Sequence, residues 1–377
     1  MSIFNTPTPG VEYNSHDPET TQPQVGLGPL PGPDLHAEYP EVCRACEGEL
    51  GIDSYCRSCG QKSKSLREYY KLTPAPWVAG VCDIGLVHVR NEDALACQAD
   101  ACRGVLVVCD GVTTSEDSDV ASLGAARVAC QYLWDHDPQG TGELDSRTAA
   151  VMENLKQGVL VANQEVINLT APTSLNAAAS TIAIAIVDHE AIFCANLGDS
   201  RVYWIPDDGE PVLLSKDHSL AQDGIDSGAD RAEAESSALA HTITKWLGRD
   251  GVDLDPHLAM APATDPGWVI VCSDGLWNYA SEPAAIKVLV DFLDHPTPEA
   301  LSEYLVAWAN EKGGHDNITV ACARVEIATP TDSPGAMGEM NLPMGSAQPL
   351  GDQGNSPSDP QIGLDSQKMT PLEPSSD

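Results

Sequence analysis

Residues 267–279 read GWVIVCSDGLWNY, an apolar run that leads into the pair Asp274-Gly275. Consecutive apolar residues rich in Val and Ile are typical of a strand that is buried on both faces. The same arrangement occurs at 104–111 (GVLVVCDG), where Asp110 follows the run, and at 315–325 (HDNITVACARV), where Asp316 precedes it. The sequence therefore predicts buried strands that carry carboxylates at their ends.

Similar apolar runs lie on both sides of two long helix-like segments. They are WVAGVCDIG (77–85), STIAIAIVD (180–188) and AIFCANLGDSRVYWI (191–205). Helical periodicity covers about 116–136, 146–168, 282–293 and 297–312. Strands, then paired long helices, then strands again indicate an α+β layered domain rather than a strict βαβ array.

Four acidic motifs lie at the predicted strand ends: Asn91-Glu92-Asp93, Asp110-Gly111, Asp274-Gly275 and Asp316-Asn317. Carboxylates in such places are costly to desolvate unless a positive charge lies between them. Oxygen ligands that converge from several strands are typical of an Mg²⁺ or Mn²⁺ site. Taken singly, each motif is better explained as a turn, because Asp and Gly are common turn formers. Their order and contexts together favour the metal site.

These motifs resemble those of the metal-dependent protein phosphatases, also called the type 2C serine/threonine phosphatases. The resemblance runs from about Val78 to Arg324. The matching pieces occur in the family's order: Asn-Glu-Asp, VVCDG, AAASTIAIAI, NLGDSRVYW, LSKDHSL, ITKWLGRD, VIVCSDGLWNY and HDNITVACARV. The combination of NLGDSR, CSDGLW and DNITV is the specific part of the match.

The resemblance implies a four-layer αββα sandwich, in which two antiparallel sheets lie face to face between helix pairs. It also implies hydrolysis of phosphoserine and phosphothreonine in proteins by a water activated between two Mn²⁺ or Mg²⁺ ions. The partners would be phosphorylated proteins that are substrates of a serine/threonine kinase.

By motif, the family's metal-site roles fall on six positions: Glu92, Asp93, Asp110, Gly111, Asp274 and Asp316. Asp110 would bridge both ions, and the Gly111 carbonyl would bind one of them. The carboxylates of Asp274 and Asp316 would bind on the other side, and Glu92 and Asp93 would hold metal-bound waters.

The sequence departs from the family where the substrate phosphate is gripped. The family usually has an arginine four residues before the Glu of Asn-Glu-Asp, and here that position is His88, with Arg90 between. Arginine makes a permanent, bidentate phosphate contact, whereas histidine is not always charged. His88 and Arg90 are the candidate phosphate-binding residues, and a packed surface histidine is the alternative for His88.

A second departure follows Asp110-Gly111. Many relatives carry a histidine there as general acid to the leaving alkoxide, but this chain reads Val112-Thr113-Thr114. His88 or a metal-bound water would then have to supply the proton, so His88 joins the three aspartates Asp110, Asp274 and Asp316 as a catalytic candidate. The alternative function is a weakly active or non-catalytic module that binds phosphoproteins for regulation.

Two further segments of the phosphatase-like region are expected to be structural or to influence specificity. Asp199, Ser200 and Arg201 in NLGDSR are expected to hold a tight turn and the sheet edges together. Residues 219–241, which follow Asp217 and His218, occupy the position of the family's flap beside the cleft.

Before the phosphatase-like region, two CxxC pairs, Cys43/Cys46 and Cys56/Cys59, are separated by nine residues. Four thiolates complete a structural Zn²⁺ site and leave no position open for catalysis. We name residues 40–64 the cysteine module. It is too short to fold on a hydrophobic core, so the metal would supply its folding free energy. The module resembles zinc ribbons, and four unconnected thiols in a loop are the alternative.

Charge and composition limit the remaining possibilities. The chain has 377 residues, and 20 basic against 56 acidic residues give a net charge of -36. This charge argues against nucleic acid and anionic membrane surfaces as partners. We find no run of about 20 apolar residues and no N-terminal signal-peptide pattern, so we expect a soluble, cytoplasmic protein. We also expect a monomer.

The predicted organisation has five parts. They are a disordered acidic Pro-rich tail (1–39), the zinc ribbon (40–64), a linker (65–74), the phosphatase domain (75–326) and a second disordered acidic tail (327–377).

Overall fold

The computed structural model describes residues 39–40, 42–138, 144–188, 191–237 and 239–326. Apart from Tyr39, both predicted tails lie outside the described residues. Within the described ranges, strands and helices follow one another in the predicted order.

The strands are β1 (Tyr69–Ala75), β2 (Val78–Asp83), β3 (Asp93–Ala99), β4 (Gly104–Asp110), β5 (Ala179–Ser180), β6 (Ile182–Val187), β7 (Ala191–Leu197), β8 (Arg201–Pro206), β9 (Val212–Leu213), β10 (Leu247–Gly248), β11 (His257–Pro262), β12 (Gly267–Cys272) and β13 (Ile318–Val325). The helices are α1 (Ser118–Asp135), α2 (Leu144–Leu169), α3 (Leu220–Asp226), α4 (Arg231–Glu235), α5 (Asp274–Trp277), α6 (Pro283–Asp291) and α7 (Pro298–Lys312). The four long predicted helices are confirmed to within a few residues at each end.

Two antiparallel sheets form the centre of the fold. The first has the order β1-β2-β13-β12-β8-β9, the second has the order β11-β7-β6-β4-β3, and β10 pairs separately with β5. Because successive side chains of a strand point to opposite faces, each central strand supplies two layers of core. In β6, Ile182, Ile184 and Ile186 pack in the core that also contains α1 and α2, whereas Ala183 and Ala185 pack between the two sheets.

Helices cover the outer face of each sheet. The antiparallel pair α1 and α2 packs on the five-stranded sheet, and α6 and α7 pack on the six-stranded sheet. A Cβ at Gly124 would lie 2.4 Å from Leu169 Cδ1, so a glycine allows the close approach of α1 and α2. The predicted four-layer αββα sandwich is confirmed. Its covered faces explain why the strands read as continuous apolar runs.

One predicted boundary needs correction. The sequence predicted a linker at 65–74, but Tyr69–Ala75 forms strand β1 and pairs with β2 at the sheet edge. The Tyr70 hydroxyl is buried and accepts a hydrogen bond from the Leu95 amide at 2.7 Å. The apolar alternation of YYKLTPA is weak because only one residue of this edge strand is buried and the others are partly buried or exposed, so its pattern did not stand out.

None of the helices in the described ranges combines the length and the apolar character that crossing a membrane requires.

Candidate active site

The predicted acidic residues meet where the two sheets end together. In the five-stranded sheet, Asp93 is the first residue of β3 and pairs in register with Asp110, the last residue of β4. In the six-stranded sheet, Asp274 follows β12 and Asp316 precedes β13, and these strands are antiparallel neighbours with Cys272 opposite Val320. The fold therefore brings carboxylates from four strand ends to one place.

These carboxylates repel one another in a buried setting. Burial raises the pKa of Asp110 well above its usual range, and the charges of Asp93 and Asp274 raise it further. Burial and the charge of Asp316 likewise raise the pKa of Asp274. Burial raises the pKa of Asp93 to about 7 although the Ser273 hydroxyl opposes the rise. The cluster cannot be fully ionised near neutral pH unless a cation compensates it.

The hydrogen bonds of these carboxylates leave particular oxygens without a partner. Asp93 Oδ2 accepts a hydrogen bond from Ser273 Oγ at 2.6 Å, and Asp274 Oδ2 accepts one from Asn278 Nδ2 at 3.1 Å. The other oxygens, Asp93 Oδ1 and Asp274 Oδ1, are buried and have no hydrogen-bond partner within the described part of the chain. Buried carboxylate oxygens without donors are the hard ligands that Mg²⁺ and Mn²⁺ take, so the site fits a divalent cation.

Two glycines let the backbone pass close to this cluster. A Cβ at Gly111 would lie 2.7 Å from the Ser118 carbonyl oxygen and 2.8 Å from that of Glu92. A Cβ at Gly275 would lie 2.0 Å from the carbonyl oxygen of Asn317. The Asp-Gly pairs thus need glycine for close backbone approach and not only for a turn.

Asn317 organises the loop that connects β2 to β3, residues 84–92. Its Nδ2 donates to the carbonyl oxygens of Ile84 and Arg90, at 2.9 and 3.1 Å, and its Oδ1 accepts from the Glu92 amide at 2.7 Å. One side chain therefore holds both ends of loop 84–92, which carries both candidate phosphate-binding residues.

Within this loop, His88 lies beside a predicted metal ligand. Its Nε2 is 3.3 Å from Asp316 Oδ1, and a quarter of the side chain is exposed. This position is open to a substrate at the acidic cluster, which differs from that of a histidine packed on a remote surface.

Arg90, in contrast, is already engaged. Its Nη2 lies 2.5 Å from Glu92 Oε1 and 3.3 Å from Ser118 Oγ, and its Nη1 lies 3.4 Å from Asp119 Oδ1. Burial raises the pKa of Glu92, but hydrogen bonds from Ser118, Arg90 and Thr113 outweigh it and keep the pKa below its usual value. Arg90 therefore holds Glu92 ionised and in place.

Sequence reasoning missed two residues of this region. A carboxylate oxygen of Asp199, a ring nitrogen of His241 and a carboxylate oxygen of Asp274 lie within 4.8 Å of one another, close enough to share a cation. Burial and then the charge of Asp217 raise the pKa of Asp199 to about 7. The prediction assigned Asp199 to a turn, and no spacing in the sequence relates it to His241.

The neighbouring Arg201 has buried polar contacts that differ from the expected support of a turn and the sheet edges. Its side chain is 1% exposed, its Nη2 lies 2.7 Å from Asp217 Oδ2, and its Nη1 lies 2.9 Å from Ser281 Oγ. It also lies 3.3 Å from Glu235 Oε1 of α4, in the segment 219–241. Arg201 therefore ties this segment to the sheet.

The four cysteines of the cysteine module also come together. Their sulfur atoms all lie within 4.8 Å of one another, with 3.7 Å between Cys43 and Cys59 and 3.5 Å between Cys46 and Cys56. The amides of Cys59 and Ser58 favour the Cys56 thiolate and hold its pKa at about 6. The Gly48 amide favours the Cys46 thiolate, but Cys59 and Cys56 outweigh it and raise the pKa of Cys46 to about 12. The backbone therefore favours the thiolate at Cys56, whereas the neighbouring sulfurs disfavour it at Cys46.

Comparisons with known proteins agree with this geometry. A family model described as protein phosphatase 2C matches residues 87–310. The chain is 29% identical over 245 residues to the serine/threonine phosphatase stp of Listeria innocua, covering 63% of this chain and 91% of that protein. It is 30% identical over 256 residues to a putative protein phosphatase 2C-type of Streptococcus pyogenes, covering 65% of this chain and 95% of that protein.

Solved structures share the fold. The S. agalactiae serine/threonine phosphatase superposes with a TM-score of 0.56 at 24% identity, covering 68% of this chain and all of that one. The Mycobacterium tuberculosis serine/threonine phosphatase PstP/Ppp superposes with a TM-score of 0.53 at 25% identity, covering 66% of this chain and 98% of that one. With its strand-end carboxylates and its αββα layers, the chain belongs to the protein phosphatase 2C family.

Proposed function

We propose that this protein phosphatase hydrolyses phosphoserine and phosphothreonine in proteins and that it does so with two Mn²⁺ or Mg²⁺ ions. One observation carries the proposal. Carboxylates from four strand ends converge, and two of their buried oxygens, Asp93 Oδ1 and Asp274 Oδ1, have no donor among the described residues. A relative from the same family, the catalytic domain of PstP, has been solved in complex with two manganese ions at 25% identity and a TM-score of 0.50.

The proposed ligands are those assigned by motif. Asp110 would contact both ions, the Gly111 carbonyl one of them, and Asp274 and Asp316 the other side. When bound, the ions would lower the pKa of a water molecule to near neutrality and would neutralise negative charge on the phosphoryl oxygens. The other residues orient this arrangement, because Ser273 fixes one oxygen of Asp93 and Asn278 fixes one oxygen of Asp274.

His88 is proposed to contact the substrate. Its Nε2 already lies 3.3 Å from Asp316 Oδ1, at the rim of the carboxylate cluster. From there the ring can donate a hydrogen bond to a phosphoryl oxygen or a proton to the leaving alkoxide of serine or threonine. Arg90 is proposed to position Glu92 instead, because its guanidinium is paired with Glu92 and Asp119.

We further propose that the cysteine module, residues 40–64, is a zinc ribbon in front of a phosphatase domain that extends to residue 326. A tetrahedral Zn²⁺ with sulfur ligands at about 2.3 Å separates its sulfurs by about 3.8 Å. The sulfur pairs at 3.5 and 3.7 Å are close to that spacing before any ion is added.

Hydrolysis of a phosphothreonine peptide and of p-nitrophenyl phosphate by the full-length protein tests the phosphatase proposal. Turnover with Mn²⁺ or Mg²⁺ that EDTA abolishes is the expected result, because Asp110 and Asp274, whose pKa values burial raises, need a cation beside them to be ionised near neutral pH. Binding of the phosphopeptide without hydrolysis, in the presence of either metal, would contradict the proposal and favour the non-catalytic regulatory module.

A further inference from the structure

A segment that begins with the last two residues of the cysteine module and leads into β1, residues 63–68, makes unexpected contacts with the active site. We name it the connecting segment. It lies outside residues 87–310, which the phosphatase family model matches. The connecting segment nonetheless contacts both ends of loop 84–92, which carries His88 and Arg90.

Lys64 contacts the beginning of the loop. Its Nζ lies 2.8 and 2.7 Å from the two carboxylate oxygens of Asp83, and 3.4 Å from the carbonyl oxygen of Gly85. The Asp83 side chain is 5% exposed and also accepts a hydrogen bond from the Gly85 amide at 2.7 Å. The Ile84 amide donates to the carbonyl oxygen of Glu68 at 2.8 Å. An almost buried carboxylate at the start of the loop therefore has its cationic partner on the connecting segment.

Arg67 contacts the other end of the loop. Its carbonyl oxygen accepts a hydrogen bond from Asn91 Nδ2 at 3.2 Å, and its Nη2 donates to the carbonyl oxygen of Asp119 in α1 at 3.1 Å. Arg67 Nε and Nη1 are buried without a hydrogen-bond partner among the described residues. A guanidinium in this position places a fixed positive charge beneath the carboxylate cluster. Burial raises the pKa of Asp93, and the charge of Arg67 is one of the effects that oppose the rise.

The connecting segment is in turn held by the cysteine module. The Ser63 amide donates to the carbonyl oxygen of Ser54 at 2.8 Å, and Tyr55 and Lys62 form an antiparallel bridge. Arg44, between the first two cysteines, donates to the carbonyl oxygen of Tyr69 at 2.8 Å and lies over the Tyr69 ring at 4.3 Å. Because so small a module depends on its metal for folding, the position of the connecting segment depends on an intact cysteine cluster.

We propose that Lys64 and Arg67 are positioning residues that hold loop 84–92 in its substrate-binding conformation, and that the cysteine module regulates substrate affinity through them. This inference rests on the proposed phosphatase function. In this proposal the cysteine module acts on its own phosphatase domain, because Lys64 and Arg67 contact the two ends of the loop that carries His88. The proposed metal ligands Asp110, Asp274 and Asp316 lie outside loop 84–92, so loosening the loop is expected to affect substrate binding more than metal binding.

The first experiment compares Lys64→Met, Lys64→Arg and wild type in the full chain, with a phosphothreonine peptide and saturating Mn²⁺. Lys64→Met is expected to raise KM by about 2- to 30-fold, the range for substitutions that act through a packed network, with kcat changed by less than about twofold. Lys64→Arg keeps the charge and is expected to recover most of the loss. Arg57→Ala is the matched control, because Arg57 is a module cation whose pair with Glu49 is exposed at 61% and 71%. An unchanged KM in folded Lys64→Met would overturn the proposal.

Hydrogen exchange supplies a readout that does not depend on activity. In Lys64→Met, peptides covering loop 84–92 are expected to exchange faster than in wild type, while peptides covering β6 keep their protection. Equal acceleration in the loop and in β6 would show that Lys64 supports the whole fold, and would overturn the positioning role. If the wild type hydrolyses nothing, the proposed function fails, and this exchange experiment still decides the positioning role.

Coupling to the module is tested with Cys59→Ser. This substitution is expected to raise KM as Lys64→Met does, and the double variant is expected to exceed the larger single effect by less than about twofold, because both changes release the same segment. A Cys59→Ser protein that has lost its zinc but keeps the wild-type KM would overturn the regulatory part of the proposal.

Discussion

Ser273 shows how single residues prepare the carboxylate cluster. Its hydroxyl donates to Asp93 Oδ2 at 2.6 Å and accepts from the Thr319 amide at 3.0 Å, so it links β3 to β12 and β13. Asp93 Oδ1 has no hydrogen-bond donor among the residues that the structure describes. A side chain with one oxygen fixed and the other unpartnered is oriented towards a cation in advance, which lowers the ordering cost of binding it.

Replacing Ser273 therefore tests the orientation of the cluster. Ser273→Ala is expected to raise the Mn²⁺ concentration for half-maximal activity by about 10- to 100-fold, the usual effect of losing a partner that orients a metal ligand. A Mn²⁺ titration of phosphopeptide hydrolysis measures it. Ser302→Ala, in which a buried hydroxyl of α7 loses its bond to the Pro298 carbonyl, is the control. Equal Mn²⁺ requirements in wild type and Ser273→Ala would show that Asp93 needs no such support.

His88, which lies 3.3 Å from Asp316 Oδ1, is the residue proposed to contact the substrate phosphate. His88→Arg is expected to lower KM for a phosphopeptide, since a guanidinium offers a permanent bidentate contact. His88→Ala is expected to raise KM without abolishing turnover, because the metals carry most of the phosphoryl charge. Steady-state kinetics measures both, with His295→Ala, whose side chain is 98% exposed, as control. The same KM in all of these proteins would assign phosphate binding to the metals alone.

The carboxylates of the cluster could be predicted because each has a recognisable sequence pattern beside it. Each carboxylate of the cluster adjoins an apolar run, so its place at a strand end could be read directly. His241 has no such signature, because it approaches Asp199 and Asp274 only through the folding of a segment that is remote from both. The ion pair between Arg90 and Glu92 could not be predicted from the sequence either, because residues that are close in sequence do not necessarily form a pair.

At the scale of elements, buried strands and long helices were predictable and edges were not. The central strands have apolar residues on both faces because both sheets are covered. The edge strand β1 has one buried residue, Tyr70, among partly buried and exposed ones, so the pattern that identifies a strand is nearly absent. Short elements such as α4 and β9 depend on tertiary contacts, which a local pattern does not contain.

The half-buried side chain of His218 makes the free energy of unfolding depend on pH. Burial lowers the pKa of His218 to about 4, and the charges of Lys245 and His257 add to the effect. The Gly198 amide donates to His218 Nδ1 at 3.2 Å, which requires the unprotonated ring nitrogen. Between about pH 6.5 and pH 4, the unfolded chain therefore binds a proton here that the folded chain does not, and the free energy of unfolding falls as the pH falls.

We expect wild type to lose about 1 kcal/mol more of this free energy between pH 7 and pH 5 than His218→Asn, which keeps an acceptor and cannot be protonated. Urea unfolding at the two pH values measures the difference. His315→Gln, at an exposed position, should follow wild type. A His218→Asn protein with the full wild-type pH dependence would show that His218 titrates alike in both states.

At the scale of the whole molecule, the cysteine module and the phosphatase domain each carry a proposed metal site, and polar contacts connect them. The phosphatase fold has its own extensive cores, whereas the cysteine module has only Cys43 and Cys56 among its buried apolar side chains within the described ranges. We therefore expect the module to rely on a metal for folding and the phosphatase domain to rely on metal for chemistry.

This contrast predicts the metal content and the effect of losing a cysteine ligand. Freshly purified protein should contain about one zinc per chain, because four cysteine thiolates form one complete site. Cys43→Ser should remove the zinc and unfold the cysteine module, while the main thermal transition of the phosphatase domain stays within about 2 °C of wild type. Elemental analysis and calorimetry measure the two quantities. Protein without zinc, or a lost main transition in Cys43→Ser, would refute this division of roles.

The most direct test of the central claim is the rate of phosphothreonine-peptide hydrolysis by Asp274→Asn and Asp316→Asn with saturating Mn²⁺. Each change removes one charge and one ligand oxygen from the cluster, so kcat/KM is expected to fall by about 100-fold or more while circular dichroism stays that of wild type. Asp294→Asn, at a fully exposed carboxylate, should keep full activity. Wild-type rates in both cluster variants would contradict the claim that these strand-end carboxylates hold the catalytic metals.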